Sequence, residues 1–205
     1  MTLLLAIEKD DKIHYAGDRC ETTSYTKRTL PHSKWIPHRG WRIGLAGSSK
    51  FGSLLMTDSR WRSILGPSGE ESVEQVFAFV RCCQEIIAAD GWHPEKSDRY
   101  PAQFNTSGMI VSPIGVFSFC SAFSVYQHGP GEFVAMGSGA DFAVGCWEAC
   151  QQIGGKRTTD QILALCMEAG AKYAGGVSGP FDYGYVEVRN GSRSMIWEGG
   201  ANKIG

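Results

Sequence analysis

Threonine at position 2 directly follows Met1. A residue this small normally lets the initiator methionine be removed, which would leave a free α-amine beside a side-chain hydroxyl. An α-amine titrates at about pH 8, so at neutral pH it is poised to take that hydroxyl's proton, directly or through a water. Acyl transfer from a terminal threonine is the chemistry this pairing permits. Threonine in second place is also common by chance, so the pairing identifies nothing unaided.

Other chemistries find less support. The seven cysteines are Cys20, Cys82, Cys83, Cys120, Cys146, Cys150 and Cys166. Two are adjacent and two lie four apart, and a pair of thiols falls short of the four ligands of a zinc site. Buried, reduced thiols in a reducing compartment are the expectation. His14, His32, His38, His93 and His128 are scattered, so no metal is expected. Gly137-Ser138-Gly139 follows a strand pattern and opens a helix pattern, but Phe142 stands where a dinucleotide fingerprint has its third glycine. Gly154-Gly155-Lys156 is no phosphate loop, because Cys150 occupies the first glycine position. No cofactor is expected.

Bulk properties narrow the class further. The chain has 205 residues, 42% hydrophobic and 20% charged, which fits one globular domain over 1–205. A net charge of −1 argues against nucleic acid or an anionic membrane surface as partner. No apolar run approaches the roughly 18 residues of a membrane span. The apolar start, Met1 to Ile7, lacks a basic flank and meets Glu8-Lys9-Asp10-Asp11, unlike a signal peptide. A cytoplasmic protein is expected.

The elements that must position Thr2 follow from periodicity. Leu3 to Ile7 and Lys12 to Ala16 read as strands joined at Asp10-Asp11. Arg42 to Ala46 reads as a strand entering a helix from Ser49 to about Leu65. Ser68 with Glu71 predicts a capping box for a second helix, whose inward face holds Val73, Val76, Phe77, Val80, Cys83 and Ile87. Residues 90–105 read as a loop. Met109 to Ser112 and Val116 to Cys120 read as strands turning at Pro113-Ile114-Gly115, and Glu132 to Met136 as another. A third helix carries Phe142, Cys146, Trp147, Cys150 and Ile153. A fourth opens at a Thr158/Gln161 capping box and carries Ile162, Leu165, Cys166 and Ala169. A terminal hairpin pairs Tyr185 to Val188 with Met195 to Trp197 about Asn190-Gly191, within a tail over 189–205. Strands, two helices, strands, two helices and strands predict an α+β fold, a four-layer αββα sandwich.

Three blocks in this order resemble the proteasome β-subunit family and its bacterial peptidase relatives, members of the N-terminal-nucleophile hydrolases. Thr2 precedes Ala16-Gly17-Asp18, Lys34 and Gly44-Leu45-Ala46-Gly47-Ser48 at the family's offsets. Ala135-Met136-Gly137-Ser138-Gly139 matches its G-S-G turn. The third block departs. Where the family commonly reads D-A-Y-S-G-G, this chain has Ala171-Lys172-Tyr173-Ala174-Gly175-Gly176, without the aspartate and the serine, for which Ser178 and Asp182 are candidate substitutes.

The resemblance implies roles. Thr2 is the nucleophile, Asp18 orients Lys34, Lys34 lowers the proton affinity of the hydroxyl, Gly47 N–H faces the oxyanion, and Ser138 supports proton traffic. Glu21, Thr22, His32, Leu45, Ser48 and Ser49 fall at substrate-binding positions, with Glu21 and His32 hinting at basic or polar side chains. Implied too are a threonine endopeptidase acting on peptide or unfolded protein, a homo-oligomeric ring, and an ATP-dependent unfoldase or cap as candidate partner. Ala171 and Ala174 keep two alternatives open: a catalytically silent ring or scaffold, and an amidase on a small substrate.

Overall fold

The computed structural model describes residues 2–22, 26–67, 69–91, 95–97, 100–103 and 106–189. The chain opens with β1 (Leu3–Lys9), β2 (Lys12–Asp18), β3 (Cys20–Thr22), β4 (Lys27–Thr29), β5 (Trp35–His38) and β6 (Trp41–Gly47). Three helices follow: α1 (Ser49–Thr57), α2 (Arg60–Ile64) and α3 (Val73–Ala89). Next come β7 (Glu95–Ser97), β8 (Tyr100–Gln103), β9 (Thr106–Ser112), β10 (Gly115–Phe119), β11 (Val125–His128) and β12 (Phe133–Gly137). The last elements are α4 (Ala140–Ile153), α5 (Thr159–Tyr173) and β13 (Phe181–Glu187).

Two antiparallel sheets carry most of the strands, in the orders β12-β1-β2-β13 and β11-β10-β9-β6-β5. The fold is therefore α+β. Strand β1 shows why both faces of its sheet are covered. Side chains alternate across a strand, yet Leu3 to Ile7 are all buried. Leu3, Leu5 and Ile7 pack with Trp147, Leu163, Cys166 and Met167 of α4 and α5. Leu4 and Ala6 pack the other way, with Trp35, Met109, Val111 and Val116 of the second sheet. On that sheet's remaining face, Ile43, Ile110 and Phe117 meet Phe51, Leu55, Trp61 and Phe79 of α1 to α3. Glycines set the spacing between the sheets. A Cβ on Gly17 would lie 2.7 Å from Trp35 Nε1, and one on Gly44 would lie 2.8 Å from Leu4 Cδ1.

Local chemistry explains where expectation and structure part. Asp10 and Asp11 both take positive φ, the conformation a tight hairpin turn demands. The helix expected over 49–65 is two helices, because Asp58 accepts the backbone N–H of Arg60 and ends α1. The capping box of α3 is Ser72 with Gln75, one S-x-x-Q later than expected. Glu71 instead accepts the Gly69 N–H and pairs with Arg189, while Ser68 lies outside the described residues. Phe77 is half exposed, and Phe79 takes its place in the core. The loop over 90–105 contains the short β7/β8 pair. Thr158 and Gln161 form the expected box on α5. The turn at Asn190-Gly191 and the strand at Met195 to Trp197 lie outside the described residues.

Leu4 tests the layer between the sheets. Truncation of a fully buried leucine costs about 2–5 kcal/mol, so Leu4→Ala should lower the urea midpoint without changing the slope. A loss below about 1 kcal/mol would be incompatible with close packing there.

Candidate active site

The end of β2 brings a carboxylate under the start of β1. Asp18 is fully buried, and its side chain accepts four hydrogen bonds from three groups. The Leu3 N–H donates to Oδ1 at 2.7 Å and the Cys20 N–H to Oδ2 at 3.0 Å. Lys34 Nζ donates to both oxygens, at 2.9 and 3.0 Å. A buried charge survives only when paired and hydrogen-bonded, and here both conditions hold. The same ammonium lies 3.3 Å from Thr2 Oγ1. Thr2 is itself buried, held by a chain that Asp18 grips one residue later.

Gly137 closes the other side. It pairs with Leu3 across β1 and β12 and takes φ of +102°. Any side chain there would collide with the Thr2 carbonyl, so the first glycine of the G-S-G turn lets β12 approach the threonine. Gly47 ends β6 with φ of +104° and turns the chain into α1. Ser48 caps that helix by accepting the Lys50 N–H.

These groups face a cleft of about 1410 Å³. Thr2, Lys34, Gly47 and Ser138 line it, with Asp18 buried beneath. Glu21, Thr22, His32, Leu45, Ser48 and Ser49 line it as well. Ser138 is exposed, and its side chain makes no hydrogen bond among the described residues. Glu21 is already engaged: Arg28, directly opposite it in the β3/β4 register, meets its carboxylate at 2.5 Å.

Asp182, one of the two candidate stand-ins for the missing polar residues, does line the cleft. Asp182 lies opposite Gly17 in the register of β13 with β2. Burial pushes its carboxyl up, but hydrogen bonds from Arg19 and Ser33 and the charge of Arg19 outweigh this, leaving it below the ordinary value. Arg19 Nε donates to both its oxygens, at 2.8 and 3.0 Å. Ser33 in turn accepts the Trp35 N–H at 3.0 Å, so Asp182 braces the segment that carries Lys34. The adjacency of Arg19 to Asp18 is visible in the sequence; the pairing of β13 with β2 is not.

Ala171 and Ala174 do not line the cleft. Ala174 is buried in the apolar cluster with Leu3, and Ala171 packs against it. Where the resemblance places an aspartate and a serine, this chain has apolar contact. Ser178 does not line the cleft either. The seven thiols are unpaired. Burial pushes Cys83 and Cys166 up, away from the reactive thiolate. Among the described residues no cluster of His, Cys, Asp and Glu could hold a metal ion. No described helix is long and apolar enough to cross a membrane.

Comparison with solved structures defines the class of fold. No protein-family profile and no curated protein matches the sequence. BPH from Thiobacillus denitrificans superposes with a TM-score of 0.77 at 20% identity, covering 92% of this chain and 100% of that one. Another structure of BPH has epoxomicin bound. Eukaryotic HslV from Trypanosoma brucei gives a TM-score of 0.65 at 20% identity, covering 91% of this chain and 99% of that one. Anbu from Pseudomonas aeruginosa, in a helical assembly, gives 0.65 at 14%, covering 91% and 81%. The chain has the proteasome-like fold that these proteins share. It is similar to BPH and HslV across nearly the full length of both.

Arg19 offers a test of the brace. A carboxyl whose folded pKa is depressed stabilises the fold above its unfolded pKa, about 3.9, and the gain is lost as pH falls through the folded value. Arg19→Ala should therefore lower stability at pH 7, and the deficit should shrink below about pH 4. Urea titrations of both proteins at pH 7 and pH 3 measure it; a deficit independent of pH would exclude an electrostatic origin.

Proposed function

We propose that this protein is a threonine peptidase of the N-terminal-nucleophile type, with Thr2 as the nucleophile once Met1 is removed. The observation that carries it is the Lys34 ammonium, shared between the buried Asp18 carboxylate and the Thr2 hydroxyl at the floor of a large cleft. The three packed clusters support a four-layer αββα sandwich forming one domain.

The chemistry runs from the α-amine. It accepts the proton of Thr2 Oγ1 as that oxygen attacks a peptide carbonyl, and Lys34, fixed in place by Asp18, stabilises the developing alkoxide. The Gly47 N–H donates to the oxyanion, and Ser138 assists proton movement. The protonated amine gives its proton to the leaving amine as the C–N bond breaks, and a threonyl ester remains. Water, deprotonated by the same amine, attacks that ester, and Thr2 Oγ1 regains its proton as the acid leaves. The size of the cleft favours peptide or unfolded protein over a small amide.

Assembly into a homo-oligomer is part of the proposal. Phe142, Val144, Ile153, Leu165 and Tyr173 are exposed on α4 and α5, apolar surface that neighbouring copies would cover. The Anbu helical assembly lends this support. A cytoplasmic location and an ATP-dependent unfoldase or cap belong to the same picture. A second reading, a catalytically silent scaffold, draws on Ala171 and Ala174, which take the family's polar supports away from the amine.

Epoxomicin separates the two readings. Protein lacking Met1, verified by intact mass, should gain a single adduct on Thr2. Thr2→Ala should abolish it, and Lys34→Ala should slow it by on the order of 10²-fold or more. Correctly processed protein that gains no adduct would leave the scaffold.

A further inference from the structure

Charge on the cleft wall is arranged in pairs. Glu21 and Arg28 stand directly opposite each other in the β3/β4 hairpin, and both line the cleft. A cross-strand pair is fixed by backbone register, so Arg28 is delivered to Glu21 rather than having to find it. Only about a fifth of the Glu21 side chain is exposed, against 69% for Arg28. The arginine thus covers the carboxylate from the solvent side. Asp182, the other carboxylate lining the cleft, is held by Arg19. Among the described residues, both acidic groups of this wall therefore carry a cation before any substrate arrives. The strand-to-helix side of the cleft offers Leu45, Ser49, Ser53 and Met56, none of them charged.

We infer that Arg28 is a specificity-determining residue, which neutralises Glu21 and makes the cleft select peptides with an uncharged, apolar side chain over basic ones. The inference rests on the peptidase reading for its substrate class. A lysine or arginine side chain arriving beside Glu21 meets the like charge of Arg28 and has to displace it. A leucine or methionine side chain meets no such opponent and can lie along the aliphatic stem of the arginine. Glu21 alone would favour the reverse choice, the basic preference that its residue type predicts.

Binding measured without turnover tests this. Two fluorescein-labelled peptides, identical except for one leucine or arginine, are titrated by anisotropy into the Thr2→Ala protein. The leucine peptide should bind at least about fivefold tighter, in line with a displaced charge pair of modest strength. Adding Arg28→Ala should move the ratio at least about fivefold toward the arginine peptide. Arg28→Lys should keep the leucine preference, and Arg28→Ala with Glu21→Gln should cancel the shift. Preference for the arginine peptide while Arg28 is present, a ratio that Arg28→Ala leaves unmoved, or binding of neither peptide would overturn the inference. Epoxomicin labelling reads the other question separately. An adduct on Thr2 without the ratio shift overturns only the role of Arg28, and discrimination without an adduct overturns only the nucleophile.

Discussion

One buried carboxylate organises the site and ties it to the fold. Asp18 accepts the backbone N–H of Leu3 on one side and of Cys20 on the other, and both its oxygens hold Lys34. The contacts are mutually dependent. Without Lys34 the charge would be buried unpaired, at a cost of several kcal/mol. Without Asp18 the lysine would have no reason to stand beside Thr2 in an enclosed position. The backbone bonds fix the start of β1 and the beginning of β3, so the same atom pair locates the threonine and launches the hairpin that carries Glu21 and Arg28.

The lesson about sequence follows from which interactions are local. Thr2, Asp18, Lys34 and Gly47 were legible because their spacing along the chain, with strand ends at Asp18 and Gly47, is itself a pattern. Hairpins with strong turn chemistry, such as Asp10-Asp11, and the Thr158/Gln161 cap were legible for the same reason. Arg28 and Ser33 were not, and Asp182 stood out only as a stand-in for the missing polar residues, not as the partner of Arg19. Their roles depend on the register of β4 against β3, or on a strand that joins the sheet more than 160 residues later. No periodicity encodes that.

Repeated signals and short strands both blur the pattern. Where a signal repeats, as in Ser68-x-x-Glu71 and Ser72-x-x-Gln75, pattern cannot choose, and burial decides: Glu71 is drawn inward to Arg189, leaving Ser72 to cap the helix. Where strands are short, as in β3, β4 and β5, they contain too few residues to show alternation. Phe142 and Ile153 are apolar residues on α4, yet they are exposed. Hydrophobicity marks what wants covering; it does not say whether the same chain does the covering.

The gap between the sheets has a meaning beyond stability. Leu4, Gly17, Gly44 and Trp35 occupy it at contact distance, and Gly17 is the residue before Asp18. An added methylene in that layer must push β2 off Trp35, carrying Asp18 and Lys34 with it. Overpacking elsewhere in a core costs about 1–3 kcal/mol in strain; here it would also displace the residues that stand beside Thr2. These four positions should therefore change in concert across descendants of this chain. A larger side chain at any of them would move Asp18 and Lys34 relative to Thr2 as well as strain the core.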